Sequence, residues 1–525
     1  MLLTMTRRAY HKPLSFSTTM RSPNRIADFL NCILPFEGRT LTNELIMEIV
    51  KRIIGQRLYT PYYVNRTPRI KSVVIESDEN ISGEMIDEII RNSPQNHKEA
   101  GFDKGWPSRF DTWYKLPMEF GYVAYSIGQP LRISQTGHML IDAVNEIPVN
   151  ENKIQAVLLN SMMKYQVNNP FRKNSNNNVP LVLLLQVINL LKNDPEENDA
   201  GVFRKELSLF ICWPNNDYRA LYNRIKRLRE SHRFNYSDEY MYDICLELLG
   251  ATDEDRNRFK MSQICGELVD EYIRKMRSTG IISFRGNGRF LDFNMFEIEK
   301  INYILENYNV YTIYTTKQEY FNYMGAIDEN ILNIERVETT DVDEIRMNTL
   351  MRFARDYTRD SIANELTILG MRRDSRDGVL RYIPETTRLE FLTSIALIQN
   401  FEGLDVRPNY IIDDEGLPTS TALGGMADIV CYDVEYDSLV EVSLMNGRQQ
   451  VNNEMLPITR HVKDAKENNE NTFAVFVAPS IHDDVRRYTR WIKADEEIDI
   501  IAYDIETFIA TLNEKEKLQD LLVIS

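Results

Sequence analysis

The stretch 427–443, ADIVCYDVEYDSLVEVS, constrains the fold of this chain more than any other. Two runs typical of strands, DIVCY and SLVEVS, flank a polar turn centred near Val434 and Glu435, which predicts a β-hairpin. In a symmetric hairpin about that centre, Asp428 lies opposite Glu441 on the same face. Two carboxylates at that spacing, roughly 5 Å between Cβ atoms, repel each other unless a proton or a cation separates them. Because their oxygens suit Mg²⁺, the hairpin predicts a metal site, with surface acids as the alternative.

Two further acids and a histidine belong to the same prediction. Glu390 lies in TRLEFLTSIALIQ, which is apolar nearly all round, and a buried unpaired carboxylate is costly. Glu454 follows the second strand and opens a helical stretch. His461 lies seven residues further, near the same helical face, and Pro457 must start or kink that helix.

The sequence pattern changes after Gly378, where segments typical of strands and of helices begin to alternate. FAVFVAPS (473–480) and IDIIAYDI (498–505) are typical of buried strands, and each is followed by a helical pattern. This predicts a C-terminal α/β domain with a mixed sheet over 378–525. The charged, helical stretch 336–377 is interpreted as a linker, and 1–335 as a mainly α-helical recognition region.

Two parts of the N-terminal region resemble winged helices, near 100–145 and 259–300. In the second, apolar residues at helical spacing over 259–278 end at Gly280, which suits a helix C-cap. IISFR and RFLDF then flank Gly286-Asn287-Gly288, a hairpin signal with Arg285 and Arg289 on its arms. A helix followed by a basic hairpin is typical of DNA-binding winged helices. A small structural α+β subdomain is the alternative.

The net charge of −16 is unevenly distributed, and the N-terminal part is basic. Residues 1–71 contain 12 Lys and Arg against 4 Asp and Glu, and residues 203–233 contain 8 against 3. Residues 376–525 contain 14 against 28. The basic segments are suited to binding the phosphates of a nucleic acid. The alternative is that their charges are only solvated surface. The candidate DNA-binding residues are Arg21, Arg25, Arg219, Arg224, Lys226, Arg227, Arg285 and Arg289, and Arg229 and Arg233 lie on the same basic helical stretch.

Composition excludes several other classes of protein. No run of about 18 apolar residues occurs, and the N-terminus lacks the apolar core of a secretory signal. The five cysteines are scattered without a C-x-x-C pair, which argues against a disulfide framework or a structural zinc site. We therefore expect a cytoplasmic protein.

Beyond these patterns, the hairpin resembles the PD-(D/E)xK nuclease core. More specifically, the chain resembles the AlwI group of type IIS restriction endonucleases and their nicking relatives. Two features carry this resemblance: the segment PLSFSTTMRSPNRIADFL (13–30), and the series Glu390, Asp428, Glu441, Glu454 and His461 with spacings of 38, 13, 13 and 7 residues. Residues 80–250 contribute little to it.

The chain departs from the general nuclease pattern in two ways. Ser443 replaces the lysine of the (D/E)xK element, and Ala427 rather than proline precedes Asp428. The sequence therefore does not identify the group that polarises the attacking water. His461 is the first candidate and Lys463 the second.

The resemblance implies a mechanism and partners. Mg²⁺ held by Asp428, Glu441 and the Val442 carbonyl binds the scissile phosphate and activates a water, while Glu390 and Glu454 hold a second metal or the outer shell. Cleavage leaves 5′-phosphate and 3′-hydroxyl ends beside a short asymmetric site in double-stranded DNA. Cutting both strands requires a second copy of the chain or a small nuclease subunit. The setting is a prokaryotic restriction-modification system.

Two rival functions remain at this point. A non-catalytic winged-helix regulator explains the basic N-terminal segments and leaves the four spaced acids unexplained. A repair or recombination nuclease with the same core explains the acids equally well.

Overall fold

The computed structural model describes residues 11–16, 20, 23–75, 80–147, 149–173, 176–197, 201–251, 253–337 and 341–522. The chain divides into two units. Unit 1 comprises Met1–Val144 and Lys153–Val337, and unit 2 comprises Asn145–Asn152 and Glu338–Ser525. The expected multidomain organisation is thereby confirmed.

Unit 1 is mainly helical, as predicted. Its strands are β1 (Val123–Ala124), β2 (Arg132–Ile133), β3 (Val202–Phe203), β4 (Ile282–Arg285) and β5 (Phe290–Phe293). Its helices are α1 (Pro23–Ile33), α2 (Asn43–Gly55), α3 (Tyr62–Arg66), α4 (Pro68–Val74), α5 (Gly83–Arg91), α6 (Trp106–Glu119), α7 (Gln135–Asn145), α8 (Glu151–Lys164), α9 (Pro180–Lys192), α10 (Leu207–Cys212), α11 (Tyr218–His232), α12 (Asp238–Leu248), α13 (Leu268–Arg277), α14 (Ile298–Asn307), α15 (Lys317–Gly325) and α16 (Glu329–Asn333).

The helices of unit 1 follow from local sequence signals. The Thr42 hydroxyl caps α2 by accepting a hydrogen bond from the Leu45 amide at 3.2 Å, and Glu44 in the first turn complements the helix dipole. Helix α9, PLVLLLQVINLLK, begins with a proline and is buried on nearly every side. A helix that is apolar all round must lie inside a core, which is where α9 lies.

The predicted hairpin in unit 1 is confirmed. Strands β4 and β5 pair antiparallel, and the turn residues Gly286, Asn287 and Gly288 all have positive φ, which glycine and asparagine tolerate best. The hairpin follows α13, and because β3 pairs with β5 it belongs to a three-stranded sheet. Near 100–145 the structure has α6, the short β1–β2 pair and α7. The winged-helix assignment of both regions stays a prediction.

One basic residue of α11 is buried, contrary to expectation. The Arg229 side chain is only 4% exposed and forms ion pairs with Glu206 and Glu197 at 2.7 and 2.8 Å. It also donates a hydrogen bond to the Gly201 carbonyl at 2.7 Å. Arg229 thus does not share the exposed surface expected for the basic helical stretch, because it lies four residues after Ile225, at the margin of the apolar stripe. The two glutamates balance its charge there.

Unit 2 contains helices α17 (Val342–Asp356), α18 (Arg359–Gly370), α19 (Glu385–Asn400), α20 (Leu456–Lys466), α21 (Asp483–Glu496) and α22 (Ile505–Glu514). Its strands are β6 (Asp405–Pro408), β7 (Ile411–Ile412), β8 (Pro418–Ser420), β9 (Ile429–Tyr432), β10 (Asp437–Val442), β11 (Phe473–Ala478) and β12 (Ile500–Asp504). These bounds agree closely with the strands and helices predicted after Gly378.

A five-stranded sheet organises unit 2, in the order β12-β11-β10-β9-β6. Strands β6, β9 and β10 are antiparallel neighbours, whereas β10, β11 and β12 run parallel. Each parallel connection contains a helix, α20 and then α21, because parallel neighbours need a crossover. The predicted mixed sheet is confirmed.

Both faces of β11 are covered. Ala474, Phe476 and Ala478 belong to one apolar cluster with residues of α20 and α21. The alternate residues, Phe473 among them, are also buried, and α22 contacts the same strand. A strand buried on both faces needs a continuous apolar run, which FAVFVA supplies.

The helices α17 and α18, which fall in the predicted linker, pack against α19 within unit 2. The rings of Phe353 and Phe391 lie 5.0 Å apart, and the Gln399 side chain donates to the Ala354 carbonyl at 2.8 Å.

In the part of the chain that the structure describes, every helix is too short or too polar to span a lipid bilayer.

Candidate active site

The hairpin β9–β10 places the two central acids opposite each other. Asp437 pairs with Tyr432, and Val440 pairs with Ile429, so the next pair in the same register is Glu441 and Asp428. The register predicted from the sequence is confirmed. It follows from the position of the polar turn, since a slip of one residue would turn every apolar side chain of the hairpin to the opposite face.

Asp428 and Glu441 are linked through the backbone as well as by their charges. The Val442 amide donates to Asp428 Oδ2 at 2.8 Å, and the Asp428 amide donates to Glu441 Oε2 at 3.4 Å. Burial, followed by the nearby Glu441 carboxylate, raises the pKa of Asp428 well above its usual range. The pair is therefore unfavourable in its doubly ionised form unless a cation is present.

Glu390 approaches this pair from α19. Its side chain is buried at 2% exposure, and Oε2 accepts a hydrogen bond from the Ala422 amide at 3.3 Å. Burial and then the Asp428 charge raise the pKa of Glu390 well above its usual range. The residue predicted to be a buried, unpaired carboxylate thus lies within electrostatic reach of Asp428.

Glu454 and His461 complete the cluster from the segment around α20. Glu454 lies in a π-helical turn, Val451–Met455, directly before α20, and its Oε1 accepts a hydrogen bond from Ser443 Oγ at 2.7 Å. His461 Nδ1 lies 2.8 Å from Glu441 Oε1. The hydrogen bond to Glu441 raises the pKa of His461. The serine that replaces the expected lysine is thus bonded to the fourth acid.

Lys463 lies apart from the cluster. It is exposed and forms an ion pair with Glu496. Two residues along an α-helix correspond to a rotation of about 200°, so His461 and Lys463 cannot face the same site. Of the two candidates for the missing lysine, the structure brings only His461 to the acids.

The donor set fits Mg²⁺. Among the described residues, no group of three or more His, Cys, Asp and Glu side chains is arranged to hold a metal ion. Mg²⁺ does not require such a group, since it commonly takes one or two carboxylates and keeps several waters. Asp428 and Glu441 form a carboxylate pair of this kind, and burial together with the Glu441 charge raises the pKa of Asp428, an effect that a bound cation would oppose.

Sequence reasoning missed Gln450, which supports one side of the site. Its buried amide donates to the Met445 carbonyl at 2.9 Å and to the Ser480 carbonyl at 2.6 Å, and it accepts from the His482 amide at 3.0 Å. It therefore joins the loop after β10 to the start of α21. No periodicity or motif around Gln450 signals this role.

The predicted DNA-binding residues of unit 1 fall into two groups. Arg219, Arg227 and Arg289 are exposed and form no ion pair within the described residues. The others have protein partners: Arg25 donates to the Leu58 carbonyl, Arg224 pairs with Glu247, Lys226 pairs with Asp194 and Glu196, and Arg285 pairs with Asp292. Arg21 lies outside the described residues.

Comparisons with known proteins agree with the resemblance seen in the sequence. The profile of the family described as AlwI restriction endonuclease matches residues 118–375 and 352–511. No relative was found among curated protein sequences.

Three solved structures give alignments with low scores. The small subunit of the heterodimeric restriction endonuclease R.BspD6I is 20% identical, with a TM-score of 0.25, over 30% of this chain and 77% of that chain. Restriction endonuclease FokI is 10% identical, with a TM-score of 0.26, over 98% and 97% of the two chains. FokI bound to DNA is also 10% identical, with a TM-score of 0.25, over 98% of each chain. TM-scores this low do not establish a shared fold.

The family match covers well over half of the chain and includes the segment from Glu390 to His461. The chain therefore belongs to the AlwI restriction endonuclease family and is a DNA endonuclease.

Proposed function

We propose that the chain is a type IIS restriction or strand-specific nicking endonuclease. Unit 1 recognises a short asymmetric site in double-stranded DNA, and unit 2 hydrolyses a phosphodiester at a fixed distance outside that site. The reaction depends on Mg²⁺ and leaves 5′-phosphate and 3′-hydroxyl ends. The observation that carries this proposal is the pairing of Asp428 with Glu441, with Glu390, Glu454 and His461 around them.

Asp428, Glu441 and the Val442 carbonyl would hold the metal. When bound, Mg²⁺ supplies positive charge to the scissile phosphate and to the negative charge that develops during in-line attack. Glu390 and Glu454 lie beside the pair, where their carboxyl oxygens orient water. Ser443 keeps Glu454 in place through its 2.7 Å hydrogen bond.

His461 is the proposed general base. With its Nδ1 proton donated to Glu441 Oε1, Nε2 is free of that hydrogen bond and can take a proton from the attacking water. The Glu441 carboxylate then stabilises the imidazolium, which is why it raises the pKa of His461. Lys463 has no part in this scheme, because it pairs with Glu496.

A supercoiled plasmid with a single site tests the function. With Mg²⁺ we expect a discrete product, and with EDTA none. The open-circle form should appear before the linear form, because the described residues offer one acid cluster and one such centre cuts one strand at a time. Linear DNA should then increase with protein concentration or with an added nuclease subunit. Binding without cleavage would instead support a regulator, and cutting that depends on DNA structure rather than on sequence would support a repair nuclease.

Binding to the cognate duplex should weaken steeply with salt. If unit 1 contacts about six phosphates, affinity should fall roughly 10³-fold between 50 and 200 mM salt, because bound counterions are released. Replacing Arg219 and Arg227, which are exposed, with glutamine should make this dependence shallower. Titrations at several salt concentrations measure the effect. A flat dependence would show that these residues are only solvated surface.

A further inference from the structure

Helix α21 of unit 2 presents an exposed basic and aromatic face. Arg486, Arg487, Arg490 and Trp491 are all exposed, Trp491 at 54%. At 100° per residue these four positions span about 140° of the helix circumference. Val485 and Ile492, on the opposite side, belong to the apolar core of the unit. We call the four exposed residues the α21 face.

The charge of the α21 face is opposite to that of its surroundings. Residues 376–525 contain 14 Lys and Arg against 28 Asp and Glu, yet three arginines lie within five residues here. Neither Arg486 nor Arg490 forms an ion pair within the described part of the chain; Arg490 Nε donates to the Arg486 carbonyl. Arg487 contacts Asp484 at 3.2 Å. Arg486 and Arg490 thus expose positive charge in an acidic unit without an ion-pair partner in the described part of the chain, whereas Arg487 is paired with Asp484.

The start of α21 is fixed beside the acid cluster. The Gln450 amide joins Ser480 and His482, just before α21, to Met445, which follows the β10 residues Glu441 and Val442 by a few positions. Arg448, whose side chain is 84% exposed, lies in the same loop with Nε 3.7 Å from Asp484. The α21 face therefore begins where β10 and β11 end, beside a loop that is close in the chain to Glu441 and Val442.

We propose that the α21 face, together with Arg448, binds phosphates of the DNA strand that flank the scissile phosphodiester. This inference rests on the proposed function and adds a second DNA contact, made by unit 2 itself. Arginine is the residue that best recognises phosphate, and Arg486 and Arg490 are about 6 Å apart along the helix axis, so they can contact neighbouring phosphates. The Trp491 ring lies just beyond Arg490 on the same face, where it covers the sugar next to the phosphate that Arg490 contacts. An acidic catalytic unit needs such a contact, because its net charge repels the substrate.

The double variant R486Q/R490Q tests this proposal in the full-length protein. Binding of a short duplex that contains the recognition site and ends before the cut position should stay within about twofold of wild type, because unit 1 makes that contact. Cleavage of a long duplex should fall at least about tenfold at 150 mM salt. The slope of log kcat/KM against log salt should become shallower by about 2, one unit for each lost phosphate contact. The control R355Q/R359Q removes the same charge from exposed positions of unit 2 and should leave both properties unchanged.

Acrylamide quenching supplies a readout that does not depend on cleavage. With EDTA present, the long duplex should shield Trp491 from acrylamide and the short duplex should not. The Trp491 contribution is the difference between wild type and W491F, since the other three tryptophans, Trp106, Trp113 and Trp213, lie in unit 1.

Each alternative outcome separates this inference from the proposed function. Wild type that shields Trp491 without cutting in Mg²⁺ overturns the proposed function and leaves the DNA contact standing. If the wild-type protein cuts and R486Q/R490Q cuts equally well at every salt concentration, the DNA contact of the α21 face is overturned and the proposed function stands. A third outcome is that cleavage by R486Q/R490Q recovers at high protein concentration while the slope of log kcat/KM against log salt stays unchanged. That result would make the α21 face an interface between copies of the chain and would also overturn the DNA contact.

Discussion

Replacing Asp428 with asparagine should abolish DNA cleavage and leave sequence-specific binding intact. Asparagine keeps an oxygen that can accept the 2.8 Å hydrogen bond from the Val442 amide, so the hairpin should retain its register. It removes the charge on which metal binding depends. The expected loss in cleavage rate is about 10³-fold or more, which corresponds to roughly 4 kcal/mol of transition-state stabilisation. Glu441→Gln should behave similarly and still accept a hydrogen bond from His461.

Stability provides a second measurement of the same substitution. The raised pKa of Asp428 means that its ionised form is unfavourable in the folded protein, so its stabilising contribution is present below its usual pKa and is lost as pH rises through the folded value. At neutral pH without metal, Asp428→Asn should therefore raise the melting temperature. Added Mg²⁺ should stabilise wild type and have little effect on the variant, because only wild type binds it.

The matched control is Glu435→Gln, at the exposed tip of the same hairpin, which should cut at the wild-type rate. Near-normal cleavage by either Asp428→Asn or Glu441→Gln in Mg²⁺ would overturn the proposed site. Loss of duplex binding by both variants would indicate misfolding or a direct role in recognition, and circular dichroism would distinguish these two explanations.

Replacing Arg229 with methionine should destabilise the protein by about 3–5 kcal/mol, because it leaves buried glutamates without a balancing charge. Arg229 Nε and Nη2 form a bidentate pair with Glu206 at 2.9 and 2.7 Å. Tyr236 and the Phe203 amide also donate to Glu206, which fixes the carboxylate beside β3. The same substitution at Arg227, which is exposed on the same helix, should change stability by no more than about 0.5 kcal/mol.

Urea unfolding followed by tryptophan fluorescence measures this effect, since three of the four tryptophans lie in unit 1. A loss below about 1 kcal/mol for Arg229→Met would mean that the network contributes little. Adding Glu206→Gln to Arg229→Met should recover part of the loss, because the double variant no longer buries an unpaired charge at this position.

Several features of unit 2 could be predicted from the sequence because they depend on neighbours along the chain. The turn near Val434 and Glu435 determined the register of β9 and β10, and with it the pairing of Asp428 and Glu441. The apolar run 473–478 could only be a strand buried on both faces, and Pro457 determined where α20 begins. Glu390 could be predicted to be buried because its helix lacks a polar face.

The sequence by itself determined which segments form strands and helices and which two acids lie opposite each other, because periodicity and turn residues act over a few positions. Only the tertiary structure decided which charged side chains meet. It brought His461 to Glu441 and Lys463 to Glu496, buried Arg229 against Glu206, and left the α21 face exposed. The physical reason is that a long charged side chain takes its partner from residues far away in the chain. Local patterns specify the face on which such a side chain lies, and the packing of other elements specifies what it contacts there.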